Sequence, residues 1–462
     1  MRHRYRKWFL VTGIILVVIL AWGTCYAFSK DRLHQFGLDN GLKVILEENR
    51  TVPVVALQFW ARVGSADERD EEAGICHFIE HMIFKGTEKR KVREMAREIE
   101  SLGGSINAYT SYDQTVYHVT LASRYVDTGL DILADAIQHS TFDPLELERE
   151  REVILEEIRM GQDDPSRRLF QQTMATVFQK HPYRRPIIGY EKTIRSVTRD
   201  QMITFFKKWY VPNRMVFVAV GDFDLSKMEQ KVKETFKTFK PSFESISLRN
   251  EEPDRKGLQS VISHGNFKET YLEMAVPITS VKHEDTPALD ALSSILGGGE
   301  TSRLVQKVKL EKGLVNSISA SSFTPKDSGC FLIGATLATE NLEKGIEAIL
   351  EEIKRLGREG VTSEELSRFK VNVESETIYD RQTVQGQARK MGYYEAIIGD
   401  LQFEKEYMMR VSLLRSEDIK RVAEKYFKPS RWVISLLVPS EKAATARSLP
   451  FQALVEKARL PE

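Results

Sequence analysis

Apolar and polar positions repeat with two different periods along this chain, and the switches between them mark its elements. Residues 41–48 and 54–63 read as strands. In the second, Val55, Leu57, Phe59, Ala61 and Val63 fall on one face of a period-two pattern. Residues 74–84 form an apolar run interrupted by His77, Glu80 and His81, and read as a buried helix. Residues 92–102 carry helical spacing closed by Gly103-Gly104, a stop signal. A strand at 116–122 follows, then two long helices at 126–139 and 145–160, and a further strand at 215–221 that ends in Gly221-Asp222. This order predicts an α+β fold with helices layered on mostly antiparallel sheet.

The second half repeats the first. Trp209-Tyr210-Val211-Pro212-Asn213-Arg214 is echoed by Tyr426-Phe427-Lys428-Pro429-Ser430-Arg431, each after an amphipathic helix and before an apolar strand. Asp143-Pro144-Leu145-Glu146-Leu147 is echoed by Thr362-Ser363-Glu364-Glu365-Leu366. The offset is about 217 both times (426 against 209), too long for a solenoid and suited to duplicated domains. The expected organisation is a first lobe at 35–240, a polar linker at 241–257 and a homologous second lobe at 258–462, the two lobes forming a chamber.

The first 30 residues differ from the rest. Arg2, His3, Arg4, Arg6 and Lys7 precede an uncharged apolar run from Trp8 to about Phe28. This is the pattern of a signal peptide or an N-terminal membrane anchor. It places the body of the chain outside the cytoplasm, in the periplasm, held at the inner membrane if the segment stays uncleaved. Of three cysteines, Cys25 lies in that segment, and Cys76 and Cys330 make no disulfide framework. The remainder, with 42% hydrophobic and 29% charged residues over 462 positions, suits folded domains. A net charge of +1 with interspersed signs argues against a nucleic-acid partner, which demands a basic face.

The candidate chemistry sits in His77-Phe78-Ile79-Glu80-His81. Helix positions four apart lie on one face. His77 and His81 can therefore chelate one ion, with Glu80 beside it to act on a water. A catalytic zinc site needs three protein ligands and one open position. The third ligand is expected on the Glu-rich helix at 145–160. From the residues alone Glu156 and Glu157 remain equal candidates, and Glu150 shares a face with Glu157.

The string Gly-Ile-Cys-His-Phe-Ile-Glu-His-Met-Ile-Phe-Lys-Gly-Thr at 74–87 resembles the signature of the pitrilysin/insulinase family of inverted-motif zinc metallopeptidases. The resemblance is closest to the branch with mitochondrial processing peptidase and its bacterial relatives. Asn107-Ala108-Tyr109-Thr110-Ser111, His181-Pro182-Tyr183, Leu296-Gly297-Gly298-Gly299 and Ser302-Arg303-Leu304 extend it over nearly the whole chain from about Gln35. It implies Zn2+ held by His77, His81 and, by register in Val153-Ile154-Leu155-Glu156-Glu157, by Glu157. It also implies Glu80 as general base and Glu150 as an assisting carboxylate. In the family the strand following the Asn-Ala-x-Thr segment pairs with an extended peptide substrate. Asn107, Ala108, Tyr109 and Thr110 are therefore expected substrate contacts.

One region departs from the family. Active members carry an Arg and a Tyr seven apart after the Ser-Arg-Leu segment; here the register holds Lys309 and Asn316. Lys keeps the charge but loses the bidentate fork, and Asn lacks the phenol. Two arrangements follow: a paralogous subunit that supplies the Arg/Tyr pair, or a homodimer or monomer that works without it. The expected function is a zinc endopeptidase acting on peptides or extended protein segments. The alternative is a weak or inactive scaffold subunit of a membrane-associated complex.

Overall fold

The computed structural model describes residues 33–460 apart from 247, 255, 256 and 458, so the expected export segment at 1–30 lies outside the described residues. Eleven strands form two sheets. The first half contributes β1 (Leu33–Gly37), β2 (Lys43–Glu48), β3 (Val54–Ala61), β4 (Ser105–Thr110), β5 (Thr115–Ala122) and β6 (Met215–Gly221). The second contributes β7 (Gln259–Gly265), β8 (Thr270–Ile278), β9 (Ser317–Phe323), β10 (Gly329–Leu337) and β11 (Val433–Pro439). The helices of the first half are α1 (Ile75–Ile83), α2 (Glu94–Ser101), α3 (Val126–His139), α4 (Pro144–Asp163), α5 (Pro165–Val177), α6 (Glu191–Ser196), α7 (Arg199–Trp209) and α8 (Leu225–Phe236). The second half adds α9 (Thr286–Gly297), α10 (Leu342–Glu359), α11 (Ser363–Asp380), α12 (Val384–Tyr393), α13 (Phe403–Leu413) and α14 (Ser416–Tyr426).

The sheet orders reveal the duplication. The first reads β1-β2-β6-β3-β5-β4 and the second β7-β11-β8-β10-β9. Apart from β1 the two are the same, down to one parallel pair in each, β2 with β6 and β7 with β11. The apolar strands after the two Pro-containing turns, β6 and β11, occupy equivalent inner places, and every residue of both is buried. That burial explains why they read as apolar runs, broken in β11 only by the buried Ser435. β1 did not stand out in the sequence because its five residues alternate between exposed and half-buried at the sheet edge.

The two halves exchange helices. Val384 and Ala388 of α12 pack with Ile397 and Ile398 against Ile45, Ala56, Trp60, Val116, Val216 and Val218 of the first sheet. Reciprocally, Met174 and Val177 of α5 pack against Ala275, Cys330, Leu332 and Val433 of the second. The fit is close at one point: a Cβ on Gly392 would lie 2.0 Å from Trp60 Nε1, so this helix face requires glycine. The segment joining the halves is polar but pinned. Arg249 is bound by Asp67 (2.9 Å), Asp113 (2.5 Å) and Asp327 (2.7 Å), and the Glu252 carboxylate accepts from the backbone amides of Gln179, Lys180 and His181, each at 2.9 Å. Among the described residues no helix is long and apolar enough to cross a membrane.

Candidate metal centre

α1 buries one face and exposes chemistry on the other. Ile75, Cys76, Phe78, Ile79, Met82 and Ile83 are buried, whereas His77, Glu80 and His81 share the remaining stripe. The helix N-terminus lies inside the protein, where its free amides need acceptors. The Glu68 carboxylate supplies them, accepting from the amides of Gly74 (2.9 Å) and Cys76 (2.8 Å). Burial pushes the Glu68 carboxyl up to about 8, against the pull of those two hydrogen bonds. Gly74 takes φ +97° directly beneath the Ile188 carbonyl, a position closed to any side chain.

Three donor atoms converge on the open stripe. His77 Nε2 and His81 Nε2 each lie 3.8 Å from Glu157 Oε2, and a ligand atom from each of the three residues lies within 4.8 Å of the others. Ligands about 2.1 Å from a tetrahedral zinc are about 3.4 Å apart, so a small inward movement would seat the ion. Burial, with the neighbouring His81 and Arg167 charges, lowers the His77 pKa to about 3, which keeps its imidazole neutral as a ligand must be. Glu157 comes from α4, whose N-terminus is capped by Asp143 with Pro144 following. The choice left open between two adjacent carboxylates is resolved by helix phase: Glu156 points outward to Arg159 at 2.7 Å.

Glu150 sits behind the donors. Its Oε2 is 3.0 Å from His81 Nδ1, and its Oε1 accepts from Lys85 Nζ at 2.5 Å. The Nδ1–H therefore points to Glu150 and the Nε2 lone pair to the ligand cluster, an assignment made from this contact. Burial would raise the Glu150 carboxyl, but His81 and Lys85 outweigh it and hold it down. Glu150 thus contacts His81 from behind and lies outside the donor set. His77 Nδ1, by contrast, is buried with no hydrogen-bond partner. Glu80 Oε2 accepts from the Thr110 hydroxyl at 2.6 Å, and burial raises its carboxyl.

Thr110 closes β4, and this refines the expected substrate contacts. The segment Asn107–Thr110 is itself the edge strand, paired only with β5. The strand that follows it, β5, has β3 on its other side and offers no free edge. Thr110 faces Glu80. Tyr109 turns to the other side of the sheet, where it lines a cavity of about 400 Å³ with Trp60, Tyr393, Tyr394 and Tyr407. None of the metal donors reaches that cavity. Asn107 is exposed and its side-chain oxygen accepts from the Ala108 amide at 2.8 Å. Lys309 lies in a short π-helical segment, Val305–Glu311, and Asn316 donates to Glu269 at 2.6 Å. Neither takes part in the contacts of the donor cluster among the described residues. Sequence reasoning missed Glu68 and Lys85. Lys85 follows His81 at a spacing of four, the signal that could have found it.

Known proteins resemble this chain over most of its length. Residues 43–191 match the family model described as Insulinase (Peptidase family M16), and residues 196–372 match the model described as Peptidase M16 inactive domain. An uncharacterized zinc protease of Rickettsia felis is 31% identical over 406 residues, spanning 86% of this chain and 96% of the relative. A protein of Arabidopsis thaliana named "Probable mitochondrial-processing peptidase subunit beta" is 30% identical, over 87% of this chain and 77% of its own length. The crystal structure of a protease from Helicobacter pylori superposes with a TM-score of 0.83 at 28% identity, covering 88% of this chain and 99% of that one.

Proposed function

The chain belongs to the insulinase family, peptidase family M16, and from that premise we propose that it is an endopeptidase that hydrolyses extended polypeptide segments outside the cytoplasm, with a second peptidase-like chain beside it. Zinc is its cofactor, and the donor set fits it: two imidazoles and one carboxylate, with no cysteine among them. The observation that carries the reading is the convergence of His77, His81 and Glu157 on one side of Glu80.

Bound there, zinc supplies Lewis acidity, making a water acidic and a carbonyl electrophilic. The protein's residues do the rest. Glu80, held by Thr110, takes the proton of the attacking water as its oxygen bonds to the scissile carbonyl carbon. Glu80 then returns that proton to the amide nitrogen as the C–N bond breaks. Glu150 and Lys85 keep His81 oriented throughout. The free edge of β4 offers backbone donors and acceptors to an extended peptide, which gives affinity with little sequence choice.

The second chain is supported by three features. Lys309 and Asn316 stand where the family's Arg/Tyr pair is expected, neither joins the contacts of the donor cluster among the described residues, and one relative is named as a subunit. Export is supported by the basic, then apolar, first 30 residues. The test is to purify the full chain, measure zinc per chain, and assay hydrolysis of unstructured peptides before and after chelation. The chain is then mixed with a paralogue carrying Arg and Tyr. Activity that is zinc-dependent and rises on mixing supports the reading. A zinc-free chain, inactive in both states, makes it a scaffold.

A further inference from the structure

Arg167, in the first turn of α5, folds its side chain back across α4, the helix that carries Glu157. Gly161 lies one turn beyond Glu157 on the same face of α4. A Cβ there would sit 2.8 Å from Arg167 Cδ and 3.0 Å from Arg167 Nη1. The Arg167 side chain therefore lies over the backbone at Gly161, along the row that leads to Glu157. Arg167 and the donor Glu157 line the same pocket. Yet Arg167 has no side-chain hydrogen bond or ion pair among the described residues. An exposed, unpaired guanidinium beside the donor cluster is free to take an anion.

The space it faces is a pocket of about 270 Å³ lined by Glu157, Arg167, Arg168, Gln171, Arg184 and Tyr190. Arg168 stacks over Phe267 with its guanidinium carbon 5.6 Å from the ring centroid. Arg184 is held by Asp70 at 2.5 Å, and its Nε is buried without a partner. The acidic residues of the pocket are already engaged: Glu157 faces the two imidazoles, and Glu191 is paired with Arg195 at 2.8 Å. The unsatisfied capacity of the pocket is cationic.

We propose that this pocket is a specificity subsite for a carboxylate of the substrate, gripped by Arg167, so that the enzyme prefers peptides with an acidic residue near the scissile bond. The inference rests on the peptidase reading above and deepens it. The carboxylate comes from an Asp or Glu side chain or from the peptide C-terminus; both present the planar acceptor that a guanidinium binds through two parallel hydrogen bonds. Gly161 is the enabling feature, because any side chain there displaces Arg167 without disturbing the buried core.

The test uses unstructured peptides that differ only in carrying Asp, Asn or Lys at each position around the cleavage point, each with a free and an amidated C-terminus. The full zinc-loaded chain should favour Asp over Lys at one position by about tenfold to hundredfold in kcat/KM, the range for a charge-assisted contact. Arg167→Glu should reverse that order. Gly161→Ala, a favourable change in a helix interior, should weaken the preference with zinc content unchanged. A preference that disappears on amidation assigns the C-terminus as the source. Cleavage with no charge preference, or the same preference in Arg167→Glu, overturns the proposal. If no peptide is cleaved, the peptidase reading fails first, and peptide affinity of Glu80→Gln, by fluorescence anisotropy, decides this one: equal or absent binding of Asp and Lys peptides overturns it.

Discussion

α1 and α9 occupy matching places in the two halves, each in the connection from the third strand of the shared sheet order to its edge strand, β3 to β4 and β8 to β9. Their difference shows where the chemistry resides. α9 is buried nearly all round, with Thr286, Leu289, Leu292, Ser293, Ile295 and Leu296 enclosed. Its acidic residue, Asp290, is locked by the hydroxyls of Ser322 and Tyr407. α1 buries one face and leaves a stripe for His77, Glu80 and His81. The frame was kept twice; the stripe of two imidazoles and a carboxylate is present in only one half. Both helix starts are held by a buried carboxylate, but by different means. At Glu68 burial outweighs the amides of Gly74 and Cys76 and the nearby Arg185 charge, and the carboxyl is raised. At Asp285 burial also pushes upward, but Lys425, Arg421 and Tyr426 outweigh it and hold the carboxyl at about 2.

The sharpest break between the halves is removal of a donor. Glu157→Ala should lower zinc affinity more than about a hundredfold, beyond the range expected for an outer partner, while the thermal transition of the apo protein stays in place. Competition with a chromogenic chelator measures it. On the other side, Asp285→Ala should destabilise the chain by about 2–3 kcal/mol in denaturant unfolding, because Arg421 and Lys425 lose their partner and the buried Tyr426 hydroxyl loses its acceptor. Zinc affinity should not change. Glu150→Gln should weaken zinc binding about 10–100-fold with little effect on folding, since it removes the charge, and one of the two accepting oxygens, that hold His81 and Lys85.

The smallest effects are those of pH, and they run in opposite directions. The Asp285 carboxyl is depressed on folding, so its contribution is present above the ordinary Asp range and is lost as pH falls through about 2. Asp285→Asn should flatten that acid limb by on the order of 1 kcal/mol, allowing for solvent around Arg421 and Lys425. The Glu68 carboxyl is raised on folding, so stability is full below the ordinary Glu range and declines as pH climbs to about 8. Glu68→Gln should gain on the wild type by about 1–3 kcal/mol between pH 5 and pH 8. Parallel pH profiles in wild type and variant would remove the contrast.

Much of this was legible in the sequence because it depends on spacing. The i, i+4 imidazoles, the paired Trp209 and Tyr426 turns and the apolar runs of β6 and β11 are local patterns, and burial enforces the runs directly. Three features depend on what the chain meets after folding. Helix phase alone separates Glu157 from Glu156, and both fit the sequence. The exchange of α5 and α12 between sheets leaves no periodic mark, since either sheet would accept their apolar faces. Arg167 reads as an ordinary surface residue until Gly161 is seen to make room for it across α4.

The most direct test of the account concerns Glu80. The Glu80→Gln chain should hold the same zinc per chain as wild type, while hydrolysis of an unstructured peptide falls by about a hundredfold to ten-thousandfold, the contribution of a positioned general base. Zinc retained with hydrolysis undiminished would contradict it.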